Sequence, residues 1–106
     1  MFSASIDLRH GVAGIRLAGE LDFTSLPCVE GVVEGLIDVG AVALVFDCSE
    51  LTFVDWASLR RVAALTRGAA AAGVDLTVHH LSPFAREVLD VTGLTGVGLG
   101  ADRPSA

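Results

Sequence analysis

The order of hydrophobic and polar residues predicts strands that alternate with helices along the chain. Loose alternation on both sides of His10 and Gly11 predicts two short strands joined by a tight turn. The uninterrupted apolar run VALVF at positions 42–46 is typical of a strand covered on both faces, at the centre of a sheet. The strands predicted in this way are residues 2–8, 12–18, 42–46 and 74–79, with a weak last strand at 97–99.

Three helices are predicted by apolar residues at three-and-four spacing and by residues typical of helix ends. They span residues 25–39, 55–72 and 83–92 approximately. The residues that mark their starts are Thr24 or Ser25 followed by Pro27, then Asp55, then Ser82 followed by Pro83. Strands separated by helices of this length need right-handed crossovers that place the helices on the sheet. We therefore expect an α/β fold with a mixed sheet of four to five strands and three main helices packed on it.

Length and charge limit the possible partners. The chain has 106 residues, enough for one domain, and 7 arginines with no lysine against 13 acidic residues give a formal charge of −6. This acidic balance argues against nucleic acid as a partner, because phosphate backbones require a basic surface. The longest apolar run is well short of the roughly 18 residues that a membrane span needs, and the N-terminal residues do not resemble a secretory signal. We expect a cytoplasmic protein that is not embedded in a membrane.

Residues for catalysis, cofactor binding or metal binding do not occur in a recognisable pattern. Cys28 and Cys48 lie twenty positions apart without a CxxC motif, and both are interpreted as small buried hydrophobic residues. His79 and His80 end a predicted strand, where residues at the solvent edge are favoured over a base or a ligand. The sequence has neither a GxSxG elbow nor a glycine-rich phosphate loop followed by a helix. We therefore predict no catalytic residue, no metal ligand and no cofactor.

The start of the second predicted helix is the most informative segment. The apolar approach of residues 51–54 brings Asp55 to the cap position, so that Trp56, Ala57 and Ser58 form the first turn. With Leu59 at the centre of the buried stripe, a helical projection turns Ala57 away from the core and leaves Ser58 half-buried on a flank. Trp56 projects onto the other flank, next to the loop that carries Asp22.

Four segments together resemble the STAS family, which comprises the anti-sigma factor antagonists and their relatives. They are GELD at 19–22, an apolar strand that ends in Asp47, LTFVDWASL at 51–59 and SPFAREVLDVTGL at 82–94. The resemblance covers nearly the whole chain and implies a helix-on-sheet domain at residues 1–100 without catalytic activity, followed by a flexible tail at 101–106. It also implies a protein partner, either an anti-sigma factor that is a serine kinase or a similar regulator.

In the antagonists that this chain resembles, the segment equivalent to VDWASL reads roughly I-D-S-S-G-L, and its second Ser is phosphorylated by the kinase. Aligned without a gap, Asp55 keeps the family Asp, Trp56 replaces the first Ser, Ala57 replaces the phosphoacceptor and Ser58 replaces Gly. Alanine has no hydroxyl, so the usual switch cannot operate at position 57. Ser58 is either a displaced phosphosite or a residue that hydrogen-bonds locally in the first helical turn.

The other candidate partner-binding residues also have ordinary structural interpretations. By the same resemblance, Asp22 and Thr24 belong to a loop that faces the kinase, and they also serve as a loop acid and a helix cap. Trp56 is either an anchor for a partner or a cover for the sheet edge, and Asp55 caps its helix whether or not a partner touches it.

Two functions remain open at this stage. The first is an antagonist that binds an anti-sigma factor through the Asp22 loop and the start of the second helix, without a phosphorylation switch. The second is a structural subunit of a lipid-transport ATPase assembly, which lone STAS domains also resemble. Self-association as a homodimer remains open for both.

Overall fold

A five-stranded mixed sheet forms the framework of the protein. The computed structural model describes the backbone of residues 1–92 and 98–99 and the side chains of residues 1–87. The elements are β1 (Ser3–Arg9), β2 (Val12–Leu21), α1 (Leu26–Asp38), β3 (Ala43–Val54), α2 (Trp56–Ala71), β4 (Asp75–His79), α3 (Pro83–Thr92) and β5 (Gly98–Leu99). The strands follow the order β1-β2-β3-β4-β5 across the sheet, with β1 antiparallel to β2 and the other pairs parallel. The predicted fold class and the central position of the third strand are confirmed.

The hairpin between β1 and β2 forms because its two loop residues accept left-handed backbone angles. Arg9 pairs with Val12, which leaves a two-residue loop of His10 (φ 52°) and Gly11 (φ 78°). Two positive φ values in succession are the requirement of a type I′ turn, whose twist matches that of the paired strands.

β3 is much longer than the apolar run that predicted it. The prediction ended the strand at residue 46, whereas the strand continues to Val54 and pairs there with Leu21 at the end of β2. The second half lacks strict alternation because the pairing register shifts twice, between Arg16 and Ala18 and between Gly19 and Glu20. The two strands end side by side as a result, so the loop after β2 lies next to the start of α2.

All three helices pack on the same side of the sheet. The residues of β2, β3 and β4 that point to this side are buried, with Ile15 and Leu44 at 1% and 0% exposure. Val29 of α1 and Leu59 of α2 are packed against this layer. The opposite side of the described sheet carries polar residues, where the Arg16 guanidinium lies 3.8 Å from Asp47 and 3.9 Å from Glu50.

The helix ends agree with the predictions. Asp55 is the N-cap of α2 and Gly73, with φ 79°, follows its C-cap. Of the two candidates at α1, the N-cap is Ser25 and not Thr24, and its side chain makes no capping hydrogen bond. Cys48 is buried as predicted, but Cys28 is exposed, because the buried stripe of α1 runs along its other face. The predictions for Val97 and for the tail at 101–106 lie outside the described residues.

Among the glycines from position 11 to position 73, Gly19 is the one whose replacement by a residue with a side chain would clash with the backbone. Its φ is +95°, and a Cβ atom there would lie 1.7 Å from the Met1 carbonyl oxygen. The chain therefore needs glycine at this position both for its backbone angle and for the approach of the N-terminal residues.

Candidate functional site

The start of α2 is fixed by the Asp55 carboxylate. Asp55 has extended backbone angles (φ −87°, ψ 165°), and its Oδ1 accepts a 2.7 Å hydrogen bond from the Ser58 amide. Its own amide donates to the Leu21 carbonyl oxygen at 3.3 Å. Asp55 is therefore both a helix cap and the residue that holds the first turn of α2 against the end of β2.

The loop after β2 is organised by a second carboxylate, that of Asp22. Its Oδ1 accepts hydrogen bonds from the Thr24 hydroxyl at 2.6 Å, the Thr24 amide at 2.9 Å and the Ser25 amide at 3.3 Å. The hydrogen bond from the Thr24 hydroxyl, followed by that from its amide, lowers the pKa of Asp22 below its ordinary value of 3.8. Asp22 is thus the side-chain acceptor at the start of α1, and Thr24, predicted to be the cap, is a donor to it.

Ser25 connects this loop to the end of β2 through hydrogen bonds of its side chain. It is buried, its hydroxyl donates to the Glu20 carbonyl oxygen at 2.8 Å, and it accepts from the Asp22 amide at 3.0 Å. The segment between the end of β2 and the start of α1 is therefore fixed by hydrogen bonds that join its polar side chains to its backbone.

The first turn of α2 presents one aromatic residue and one small residue to solvent. Trp56 is 45% exposed and Ala57 is also exposed, as the helical projection predicted. Ser58 differs from the prediction: it is 1% exposed and not half-buried. Its hydroxyl oxygen has no hydrogen-bond partner among the described residues. A kinase could not reach this hydroxyl in the observed conformation.

A groove runs along the exposed face of α2, between that helix and the start of α1. We call it the arginine groove; it is lined by Phe23, Leu26, Ala57, Ser58, Arg60, Arg61, Ala64 and Arg67. Sequence reasoning did not identify Phe23 or Arg67 as part of this surface. The signal was present as the spacing of Ala57, Arg60, Ala64 and Arg67, which puts one side chain per turn on a single face.

The groove combines aromatic and cationic groups. The guanidinium of Arg60 lies 5.9 Å from the centre of the Trp56 ring, within the range of a cation–π contact. Arg61 forms an ion pair with Glu30 of α1 and so joins the two helices. Phe23, at 79% exposure, stands at the α1 side of the groove.

Within the residues whose side chains are described, no group of three His, Cys, Asp or Glu residues is placed to hold a metal ion. His79, one of the two histidines considered as a base, is half-buried with its Nε2 3.2 Å from the Thr77 hydroxyl. Over the same part of the chain, every helix is too short or too polar to cross a bilayer.

The protein is a module with helices on one side of a sheet, and the start of α2 presents the exposed Trp56 and Ala57. A family model described as Mlab, STAS domain, matches residues 4–100. The chain belongs to the STAS-domain family.

Solved structures of other proteins have the same fold. An anti-sigma factor antagonist from Mycobacterium paratuberculosis has 22% identity over 95% of this chain and 86% of its own, with a TM-score of 0.79. The phosphorylated form of the Bacillus cell fate determinant SpoIIAA has 21% identity over 94% of this chain and 93% of its own, with a TM-score of 0.72. A variant of RsbS from Moorella thermoacetica has 21% identity over 92% of this chain and 85% of its own, with a TM-score of 0.75. No curated protein sequence matches this chain.

Proposed function

We propose that this protein is a non-catalytic binding module of the anti-sigma factor antagonist type, and that its partner is an anti-sigma factor or a related regulatory protein. The observation that carries this proposal is the junction of the Asp22 loop with the start of α2. The Asp55 amide donates a hydrogen bond to the carbonyl oxygen of Leu21, the residue before Asp22, so the two segments form one continuous surface. The fold that this chain shares with the anti-sigma factor antagonist from Mycobacterium paratuberculosis supports the same general role.

The partner-binding surface in this proposal consists of Asp22, Thr24, Asp55, Trp56, Ala57 and Ser58. The six residues contribute in different ways. Trp56 offers the exposed aromatic area that protein interfaces use as an anchor. Asp22 and Asp55 hold the backbone of the surface in place through their hydrogen bonds, while Thr24 and Ala57 present exposed atoms and Ser58 supports the turn from below.

Regulation by phosphate at this surface is absent in our proposal. Ala57 is the exposed residue of the first turn and has no hydroxyl, whereas Ser58 has a hydroxyl that is buried. Neither residue combines the two properties that a phosphoacceptor needs. Binding is therefore constitutive, and its extent is controlled by the amount of partner. In this proposal the protein acts in the cytoplasm, residues 1–100 form the binding domain and residues 101–106 form a flexible tail.

The experiment uses the anti-sigma factor kinases of the source organism, each purified and titrated against this protein by calorimetry. We expect at least one to bind, and Trp56→Ala to weaken binding by about 2 kcal/mol, roughly thirtyfold, as for an interface hot spot. Phe84→Ala is the matched control, because Phe84 is 71% exposed on α3, a different helix. Absence of binding to every kinase, or equal loss in both variants, would contradict the proposal.

Incubation of this protein with the anti-sigma factor kinase that binds it and with ATP tests the proposal that phosphorylation does not regulate binding. The wild type should incorporate no phosphate, while Ala57→Ser should accept it if the surface fits a kinase. Stoichiometric phosphate on Ser58 of the wild type would overturn constitutive binding.

A second candidate function is a scaffold subunit in a lipid-transport ATPase assembly. Ala57 favours it, because a subunit that only braces a nucleotide-binding partner needs no phosphoacceptor. Co-purification of the tagged protein with a nucleotide-binding transport subunit, and with no anti-sigma factor, would select this candidate. Self-association is tested in the same preparation by light scattering.

A further inference from the structure

The arginine groove differs in charge from the rest of the molecule. α2 contains three arginines and no acidic residue, in a chain whose formal charge is −6. Among the described residues, no acidic side chain lines the groove, and the carboxylate of Glu30, nearby on α1, is engaged with Arg61. The groove is therefore a cationic strip on an acidic protein.

Among the residues whose side chains are described, two of the groove arginines have no carboxylate partner. Arg9, Arg16 and Arg61 each lie within 4 Å of a carboxylate oxygen. Arg60 and Arg67 form no such ion pair with any described side chain, and the Arg60 guanidinium lies over the Trp56 ring. Their charges are thus available to groups outside this chain.

The shape of the groove suits a helix. Its lining includes the short side chains of Ala57 and Ala64, which permit close approach of another backbone, and its α1 side carries the exposed Phe23 ring. Arg60 and Arg67 are seven residues apart on α2, which separates them by about 10.5 Å along the helix axis. A partner helix with acidic residues two turns apart has the same spacing between its carboxylates.

We propose that the arginine groove binds an acidic amphipathic helix of the partner protein, with carboxylates at Arg60 and Arg67 and an apolar side chain against Phe23. The proposal rests on the proposed function in so far as the partner is a protein, and it adds the chemistry of the segment that docks. An anionic membrane fits less well, because the cationic groups line a concave groove and the molecule as a whole is acidic.

The test uses synthetic helical peptides of about 18 residues, or five turns. One peptide carries leucines on one face and glutamates spaced seven apart on the next, and its counterpart carries lysines in place of the glutamates. Trp56 is the only tryptophan and contacts Arg60, so its fluorescence reports binding directly. We expect the acidic peptide to bind with an affinity that falls as salt rises, and the lysine peptide not to bind.

Arg60→Gln combined with Arg67→Gln should weaken binding of the acidic peptide at least tenfold. The control combines Arg9→Gln with Arg16→Gln, which removes the same charge from the sheet and should change the affinity less than twofold. Circular dichroism on both double variants checks that the fold is kept. Equal affinity of the two double variants, binding of the lysine peptide, or tighter binding to phosphatidylglycerol vesicles than to the acidic peptide would overturn the proposal.

The outcome is separable from that of the proposed function. If the acidic peptide binds the groove and no anti-sigma factor binds the protein, only the proposed function fails. If an anti-sigma factor binds wild type and the Arg60→Gln, Arg67→Gln variant equally well, only the groove proposal fails.

Discussion

The two buried serines at the site should respond in opposite ways to the same substitution. Ser58 is 1% exposed with a hydroxyl oxygen that has no partner among the described residues, whereas Ser25 is 6% exposed and bonds to Glu20 and Asp22. An unpaired buried polar group costs about 1–3 kcal/mol of folding free energy. Ser58→Ala removes this cost and also introduces a better helix former, worth a few tenths of a kcal/mol, roughly.

We therefore expect Ser58→Ala to raise the free energy of unfolding by about 1 kcal/mol. Ser25→Ala should lower it by about 1–3 kcal/mol, because the Asp22 amide and the Glu20 carbonyl oxygen lose their shared partner. For a domain of this size 1 kcal/mol corresponds to roughly 4–8 °C in Tm. The two variants should thus differ clearly in a thermal melt.

Urea denaturation followed by Trp56 fluorescence measures both values. The dependence of the unfolding free energy on urea should be the same in wild type and variants, so that the midpoints can be compared directly. A loss of 1 kcal/mol or more in Ser58→Ala would refute the reasoning, since it would mean that this hydroxyl has a hydrogen-bond partner in solution.

Three further predictions concern residues that fix the backbone conformation around the site. Asp55→Ala should lower the free energy of unfolding by about 1 kcal/mol in urea denaturation, whereas Asp55→Asn keeps an acceptor and should lose much less; equal losses would argue against capping. The pKa of Asp22 is lowered, so the stabilisation that its carboxylate gives to the folded state is complete above pH 3.8 and is lost as the pH falls through the depressed pKa. The amide resonance of Thr24, measured by NMR, should therefore shift only below pH 3.8, and it should not shift in Asp22→Asn. Gly19→Ala should destabilise the protein by more than about 1 kcal/mol, because the new Cβ meets the Met1 carbonyl; an unchanged urea midpoint would show that the N-terminal residues do not pack there.

The sequence predicted which helices and strands form more accurately than it predicted where each of them ends. The VALVF run identified the central strand, but the expectation that both of its faces are covered was wrong: Leu44 and Phe46 are buried under the helices, whereas Val45 on the opposite face is only half-buried. The continuation of β3 to Val54 could not be predicted in the same way, since its two register shifts against β2 break the period of two. Asp55 as the cap of α2 was predictable from local chemistry alone.

The site was predictable where it depends on one helix and not where it depends on two. Ala57 projects outward from α2 regardless of its neighbours, and the projection placed it correctly. The burial of Ser58 depends on the segments packed around α2, which a single-helix projection does not contain. The arginine groove was missed for the same reason, because Phe23 and Arg67 are 44 positions apart in the chain and meet only through helix packing.

The tight turn at His10 and Gly11 has a consequence for the order of events in folding. β1 and β2 are neighbours in sequence and need only a two-residue loop, so their pairing forms a local contact of the kind that appears within microseconds. β2 and β3, in contrast, pair as parallel strands only after the chain of α1 has closed a loop between them. The hairpin is thus expected to exist first, as a template on which the rest of the sheet assembles one crossover at a time.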